Sequence, residues 1–220
     1  MLDLLIFSCI ILPYMLFDVN YFLRILFTIM WDRLFHRRRN IFEHTVHYGM
    51  CWTSDIDIFM RHMNNARYLR ELDFARSSYY DRTGIFQHIK RQGGSVVQGA
   101  TSIRYRQPIT LLMAYKVTTK LIYWDDRSIY IEHEFVSLLD NFVRAIALSK
   151  QSVTDSNIHV TDIIHKIEPD AMKPMPTEEL RLWVDSMEES SMRFRRMRDI
   201  IEETELDTIA TDPFLPSCSS

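Results

Sequence analysis

The hydrophobic and polar positions divide the chain into three stretches of different texture. Residues 4–17, LLIFSCIILPYMLF, carry no charged side chain, and residues 1–31 hold only Asp3, Asp18 and Arg24. From residue 44 onward, apolar and polar positions alternate over short runs, interrupted by one helical stretch. After about 153 the pattern is mixed: prolines punctuate 169–176, Thr177–Arg198 is charged and helical in spacing, and the chain closes on a polar Pro-Ser-Cys-Ser-Ser tail.

The middle stretch predicts a first strand over 44–52 and then a polar loop, Thr53–Asp57. Asn64 or Asn65 suits a helix N-cap. Tyr68, Leu72, Ala75 and Tyr79 follow at spacings of 4, 3 and 4 on one face of a helix running to about Arg82, which Thr83–Gly84 closes. Strand character returns in SVVQGATSIRYRQPI, AYKVTTKLIYW, SIYIEHEFVSLL and FVRAIALSKQSV. In the third of these, Ile129, Ile131 and Phe135 point to one side and Glu132 and Glu134 to the other, the signature of a sheet with one buried face. The short turns WDDRS (124–128) and LDN (139–141) make hairpins, so the strands form an antiparallel meander. The fold class is α+β, and the long helix must be what covers the apolar face of the sheet.

The first 31 residues would not be left in water. Their uncharged core is shorter than the roughly 18–20 residues of a usual span, but a helix over all of them would reach about 46 Å. Pro13 would kink it, which a membrane helix tolerates. A secretory signal needs a basic start and a small-residue cleavage site, and neither is present. Arg33, His36, Arg37, Arg38 and Arg39 then form a basic flank, which places the C-terminal domain in the cytosol if the segment spans. The alternative is a helix lying in the interface with its arginines on anionic headgroups. The expected layout is a hydrophobic anchor (1–31), a basic juxtamembrane linker (32–43), a folded domain (44–160), a C-terminal helical extension (161–200) and a tail without fixed structure (201–220). The expected location is a membrane, that of the endoplasmic reticulum, with membrane lipid as a partner.

Composition narrows the function classes. A chain of 220 residues with 47 % hydrophobic and 25 % charged residues suits one globular domain plus extras. A net charge of −3 and scattered basic residues argue against nucleic acid. Cys9, Cys51 and Cys218 form no Cys-x-x-Cys pair and the histidines do not cluster, so free thiols and no metal are expected.

The chemistry-bearing residues crowd into Trp52–Tyr68, where strand meets helix. A helix N-terminus offers unpaired N–H groups and a positive dipole end, which polarise a carbonyl and stabilise the oxyanion that develops on it. A facing carboxylate can attack that carbonyl or deprotonate a water. Asp55 and Asp57 are the nearby carboxylates, with Glu71 in reserve on the helix; His62, Asn64, Asn65 and Arg67 are candidate binding groups. Each has a blander reading: Asx turns for the aspartates, helix caps for the asparagines, a helix-start hydrogen bond for His62 and a solvated face for Arg67. There is no Gly-x-Ser-x-Gly elbow.

The runs SDIDIFMRHMNNARYLRELDFAR (54–76) and YWDDRSIYIEHEFVSL (123–138), behind an apolar N-terminus, resemble the hotdog thioesterases of the 4-hydroxybenzoyl-CoA type, and more closely the animal thioesterase-superfamily member 6 proteins. The resemblance covers most of 1–190. It implies a hotdog fold, an antiparallel sheet wrapped around one long central helix, and a homodimer binding acyl-CoA thioesters between subunits. It assigns Asp57 as the catalytic carboxylate and His62 with Asn64 or Asn65 as the polar pair before the helix. No cofactor is implied beyond the CoA of the substrate. One departure stands out: Asp57 and His62 are five positions apart, against four in the family motif, so the extra residue either swings Asp57 away or promotes Asp55. The expected function is a membrane-associated acyl-CoA thioesterase acting on a fatty acyl group. The alternative is a non-catalytic acyl-binding or scaffolding protein, and a dehydratase of the same fold ranks third.

Overall fold

The computed structural model describes Tyr14, residues 18–154 and residues 157–211, with side chains as far as Glu202. In chain order the first unit contains α1 (Val19–Phe35), β1 (Thr45–Met50), α2 (Asn65–Thr83), α3 (Ile85–Arg91), β2 (Val96–Tyr105), β3 (Ala114–Trp124), β4 (Ser128–Ser137), β5 (Val143–Val153) and α4 (Val160–Ile167). A second unit begins at Met175 and contains α5 (Glu178–Thr211).

The five strands form one sheet in the order β1-β3-β4-β5-β2, antiparallel at every step. Local chemistry sets the hairpins. Asp125 Oδ1 accepts from the N–H groups of Arg127 (2.8 Å) and Ser128 (2.7 Å), closing the β3–β4 turn. Asn141, at φ 54°, takes the left-handed conformation that the β4–β5 turn requires.

Helix α2 starts where Asn64 Oδ1 accepts from Ala66 N–H at 2.9 Å and ends on Gly84, whose φ of 76° favours a residue without Cβ. It packs on the sheet through two clusters. Tyr68, Leu72 and Ala75 meet Val117, Phe135, Ala145 and Ala147. Tyr79 and Tyr80 join Trp124, Ile129 and Ile131, and α4 closes this second cluster with Ile163 and Ile164. A sheet wrapped around one long helix is the hotdog fold, as the sequence reading expects.

The packed unit reaches past the expected limits of 44 and 160. Ile41 is fully buried, with its carbonyl accepting from Tyr79 Oη at 2.6 Å, and Ile163, Ile164 and Ala171 belong to the core. The short α3 has no counterpart in the sequence reading; its Ile85 and Ile89 are fully buried. Helix α5 runs on to Thr211, beyond the expected boundary at 200, because no glycine or proline interrupts it before Pro213; residues 212–220 lie outside the described set.

A single helix over 1–31 is not what stands here. Asp18 accepts from Tyr21 N–H at 3.2 Å and caps a helix that begins at Val19. Helix α1 lies along α2, held by Arg24 on Glu71, Arg33 on Asp81 (2.7 Å) and Asp18 on Arg70. Among the described residues no helix is long and apolar enough to cross a membrane. The uncharged run 4–17 lies outside them, Tyr14 excepted.

Candidate active site

Residues 51–64 carry the chain from the end of β1 to the start of α2 and fold back on themselves. Asp57 N–H donates to His62 O (2.9 Å), Asn64 N–H donates to Asp55 O (2.8 Å), and Ile56 bridges Met63 between them. The tip is a turn in which Met60 N–H donates to Asp57 O at 3.0 Å and Met60 adopts φ 55°. The residues between Asp57 and His62 are taken up within this turn, and the stems on both sides of it are paired.

The two aspartates take opposite directions from this ladder. Asp57 turns its Oδ1 onto the N–H groups of Arg61 (2.9 Å) and His62 (3.3 Å), which hold its carboxyl below the usual range. It does not line the cleft described next. Asp55 is only 5 % exposed. Its Oδ2 accepts from Trp52 N–H at 2.9 Å, and its Oδ1 lies 3.8 Å from Arg67 Nε.

Asp55 faces a cleft of about 900 Å³ bounded by α1, β1 and the first half of α2. Leu23, Phe27 and Trp31 of α1 and Val46 and Met50 of β1 supply apolar walls; Asp55, Arg67 and Arg70 supply polar groups. Gly49 belongs to this wall because the Tyr115 ring fills the place of a side chain: a Cβ would sit 2.7 Å from it.

The other candidates are structural in part. Asn64 is the helix cap, and Asn65 is exposed with its carbonyl accepting from Tyr105 Oη at 3.2 Å. His62 Nδ1 lies 3.1 Å from Met63 O. Arg67 donates to Ser54 O at 2.8 Å as well as facing Asp55. Glu71 is buried, but both its oxygens are taken by Arg24, at 2.7 and 3.0 Å.

Two groups at this site escape the sequence reading. Arg24 reaches Glu71 from 47 positions away, and its guanidinium stacks 4.2 Å from the Phe74 ring centroid. His47 on β1 lines the cleft with its Nε2 buried and without a hydrogen-bond partner, and burial pushes its pKa down. Neither stands in a local motif; each is brought in by α1 closing over the β1 edge.

A family model described as the thioesterase-like superfamily matches residues 51–184. A Drosophila melanogaster relative, Protein THEM6, is 49 % identical over 183 residues, which cover 83 % of this chain and 94 % of its own. The chain belongs to the thioesterase-like superfamily, among the THEM6 proteins. THEM6 proteins of Xenopus laevis and Danio rerio are each 35 % identical, covering 82 % and 86 % of this chain and 86 % and 92 % of theirs. Escherichia coli YbaW, a probable thioesterase, superposes with a TM-score of 0.51 at 21 % identity, covering 56 % of this chain and 94 % of its own. Thermus thermophilus TT1821 also reaches 0.51, at 15 % identity, over 60 % of this chain and 100 % of its own. These two likenesses show the fold. The thioesterase-like superfamily match begins at Cys51, so α1 and β1, two of the three walls of the cleft in this THEM6 chain, lie outside it.

Proposed function

We propose that the chain hydrolyses an acyl-CoA thioester to a carboxylic acid and CoA, with Asp55 as the base. One observation carries this reading. Of the candidate carboxylates, Asp55 alone is buried, lines the cleft and stands beside the N-terminus of α2 without a bidentate arginine on it. In the reaction, Asp55 takes a proton from a water, whose oxygen adds to the thioester carbonyl. The oxyanion forms facing the positive end of α2, then collapses and expels the CoA sulfur, which recovers the proton. Arg67 stands beside this carboxylate, its Nε 3.8 Å from Asp55 Oδ1, and holds it in place toward the cleft.

The test is thiol release from short, medium and long acyl-CoAs by the full chain. Asp55→Asn should lower kcat/KM by about 10²–10⁴, and Asp57→Asn should leave it within a few-fold. A loss confined to Asp57→Asn would return the role to the residue that the resemblance singles out, and a loss with Glu71→Gln alone would move it onto the helix.

The second reading is a non-catalytic acyl-binding or scaffolding protein. It is favoured by the hydrogen bond and ion-pair partner that Asp55 already holds and by the clamp on Glu71. Absence of thiol release with any acyl-CoA would establish it over the first. We further propose a homodimer. Its support is the exposed apolar loop tip Ile58, Phe59 and Met60, together with the edge strand β2, where Val97 and Tyr105 are also exposed. Membrane association, at the endoplasmic reticulum, rests on the uncharged run 4–17 and the arginines that follow α1.

A further inference from the structure

Helix α1 presents an unusual surface. Phe22, Leu26, Met30 and Leu34 form one row along it, and Leu23, Phe27, Trp31 and Phe35 form the next, all exposed, with Leu34 at 72 % and Phe27 at 64 %. Its buried residues are the polar Thr28 and Asp32. A contiguous apolar stripe of this length on a folded domain marks a surface that meets something other than water. Leu23, Phe27 and Trp31 belong at once to this outer stripe and to the wall of the cleft that Asp55 faces. The stripe and the apolar wall of the cleft are therefore one continuous surface.

We infer that α1 lies flat in the surface of a lipid bilayer and that the cleft opens sideways into it, taking a single long acyl chain from the membrane with its thioester end toward Asp55. This rests on the proposed function for the identity of the head group only. The occupant is lipid for three reasons. The stripe is continuous in sequence with the uncharged run 4–17. The exposed Arg37, Arg38 and Arg39 follow the end of α1, where they meet anionic headgroups. Trp31, at the same end, suits the headgroup layer. The helix does not span: its 17 residues reach about 25 Å, short of the ~30 Å hydrocarbon core, and Arg24 and Arg33 tie it to α2 through Glu71 and Asp81. A cleft of about 900 Å³ lies within the roughly 300–1,000 Å³ usual for ligand sites, and Arg67 and Arg70 stand at its polar side for an anionic head.

The experiment uses the full chain with phosphatidylcholine–phosphatidylserine vesicles containing brominated phosphatidylcholine, and reads quenching of tryptophan fluorescence. Trp31→Phe supplies the difference due to that residue. Trp31 should account for most of the quenching, and the paired substitution Leu26→Glu with Leu34→Glu should remove it while the thermal unfolding midpoint stays unchanged. In the same vesicles a non-hydrolysable hexadecyl thioether of CoA should bind at least about tenfold more tightly than the butyl analogue, and the paired substitution should abolish that preference.

Unquenched Trp31 on vesicle-bound protein would overturn the inference. So would a chain-length preference that survives the paired substitution. Concentration-dependent self-association of the parent that the paired substitution abolishes, with Trp31 unquenched, would assign the stripe to a second copy instead. Since neither readout requires turnover, loss of hydrolysis with quenching and binding intact defeats the proposed function alone. Hydrolysis without them defeats the bilayer inference alone.

Discussion

Helices α1 and α2 lie side by side and invert the usual relation between composition and burial. Helix α2 is rich in charge, yet Tyr68, Leu72, Phe74, Ala75 and Tyr79 are buried, and even Glu71 and Arg82 are taken in with them. Helix α1 is the more apolar by composition, yet it buries Thr28 and Asp32 and turns its phenylalanines and leucines outward. The sheet wraps α2, so the side chains on its inward face answer to fixed neighbours. Helix α1 meets the domain through ion pairs along one side, so its greasy side stays available. A helix held by its polar face is one whose apolar face serves another purpose.

The sharpest way to break this contrast is to truncate equivalent leucines. Leu72→Ala should destabilise the domain by about 2–5 kcal/mol in urea titration, since Leu72 is fully buried between α2 and the sheet. A cost under ~1 kcal/mol would mean that α2 is not the packed centre. Next comes the joint between the helices. Arg24→Met should cost about 2–3 kcal/mol by leaving Glu71 buried without its partner. That is less than the roughly 3–5 of a fully buried pair because the Arg24 side chain is 42 % exposed. Restoration of stability by Glu71→Gln in the same chain would confirm the coupling.

Acid should loosen the enclosed side selectively. Burial pushes the His133 imidazole, on the strand face shared with Ile131 and Phe135, from an ordinary 6.5 to about 3. The unfolded chain binds a proton near 6.5 that the native chain refuses until about 3, so stability present above 6.5 is lost as pH falls through that window. Half-buried His47 shifts in the same direction. The urea midpoint should therefore fall by the equivalent of on the order of 2 kcal/mol between pH 7 and pH 5, and His133→Leu should flatten the decline. Asn64→Ala should cost about 1 kcal/mol through loss of the α2 cap. Smallest of all, Leu26→Ser on the outer face of α1 should change stability in solution by less than ~0.5 kcal/mol, and a larger loss would show that α1 is packed there.

The loop between β1 and α2 shows where sequence reading stops. The crowding of Asp55, Asp57, His62 and Asn64 at a strand-to-helix junction is visible locally, since the junction is set by the Asn64 cap and the apolar spacing that follows. Which aspartate points inward is not. That depends on the turn at Met60, in which Asp57 satisfies the N–H groups of Arg61 and His62 while Asp55 faces the cleft. Two carboxylates in alternate positions look alike in one dimension and differ only once their hydrogen-bond donors are placed.

By itself the sequence determined the long helix, the antiparallel meander and the α+β class, because helix and strand periods, turn residues and caps are properties of neighbours along the chain; the hotdog class followed from the resemblance of two motifs, and the short α3 from neither. The sequence also marked α1 as a segment unsuited to water. Only the tertiary structure decided that this segment is a separate helix capped at Asp18, that Arg24 meets Glu71, and that His47, Arg67 and Asp55 share one cleft. Those contacts join residues far apart in the chain, and their energy comes from burial and charge pairing that exist only after the chain has closed on itself.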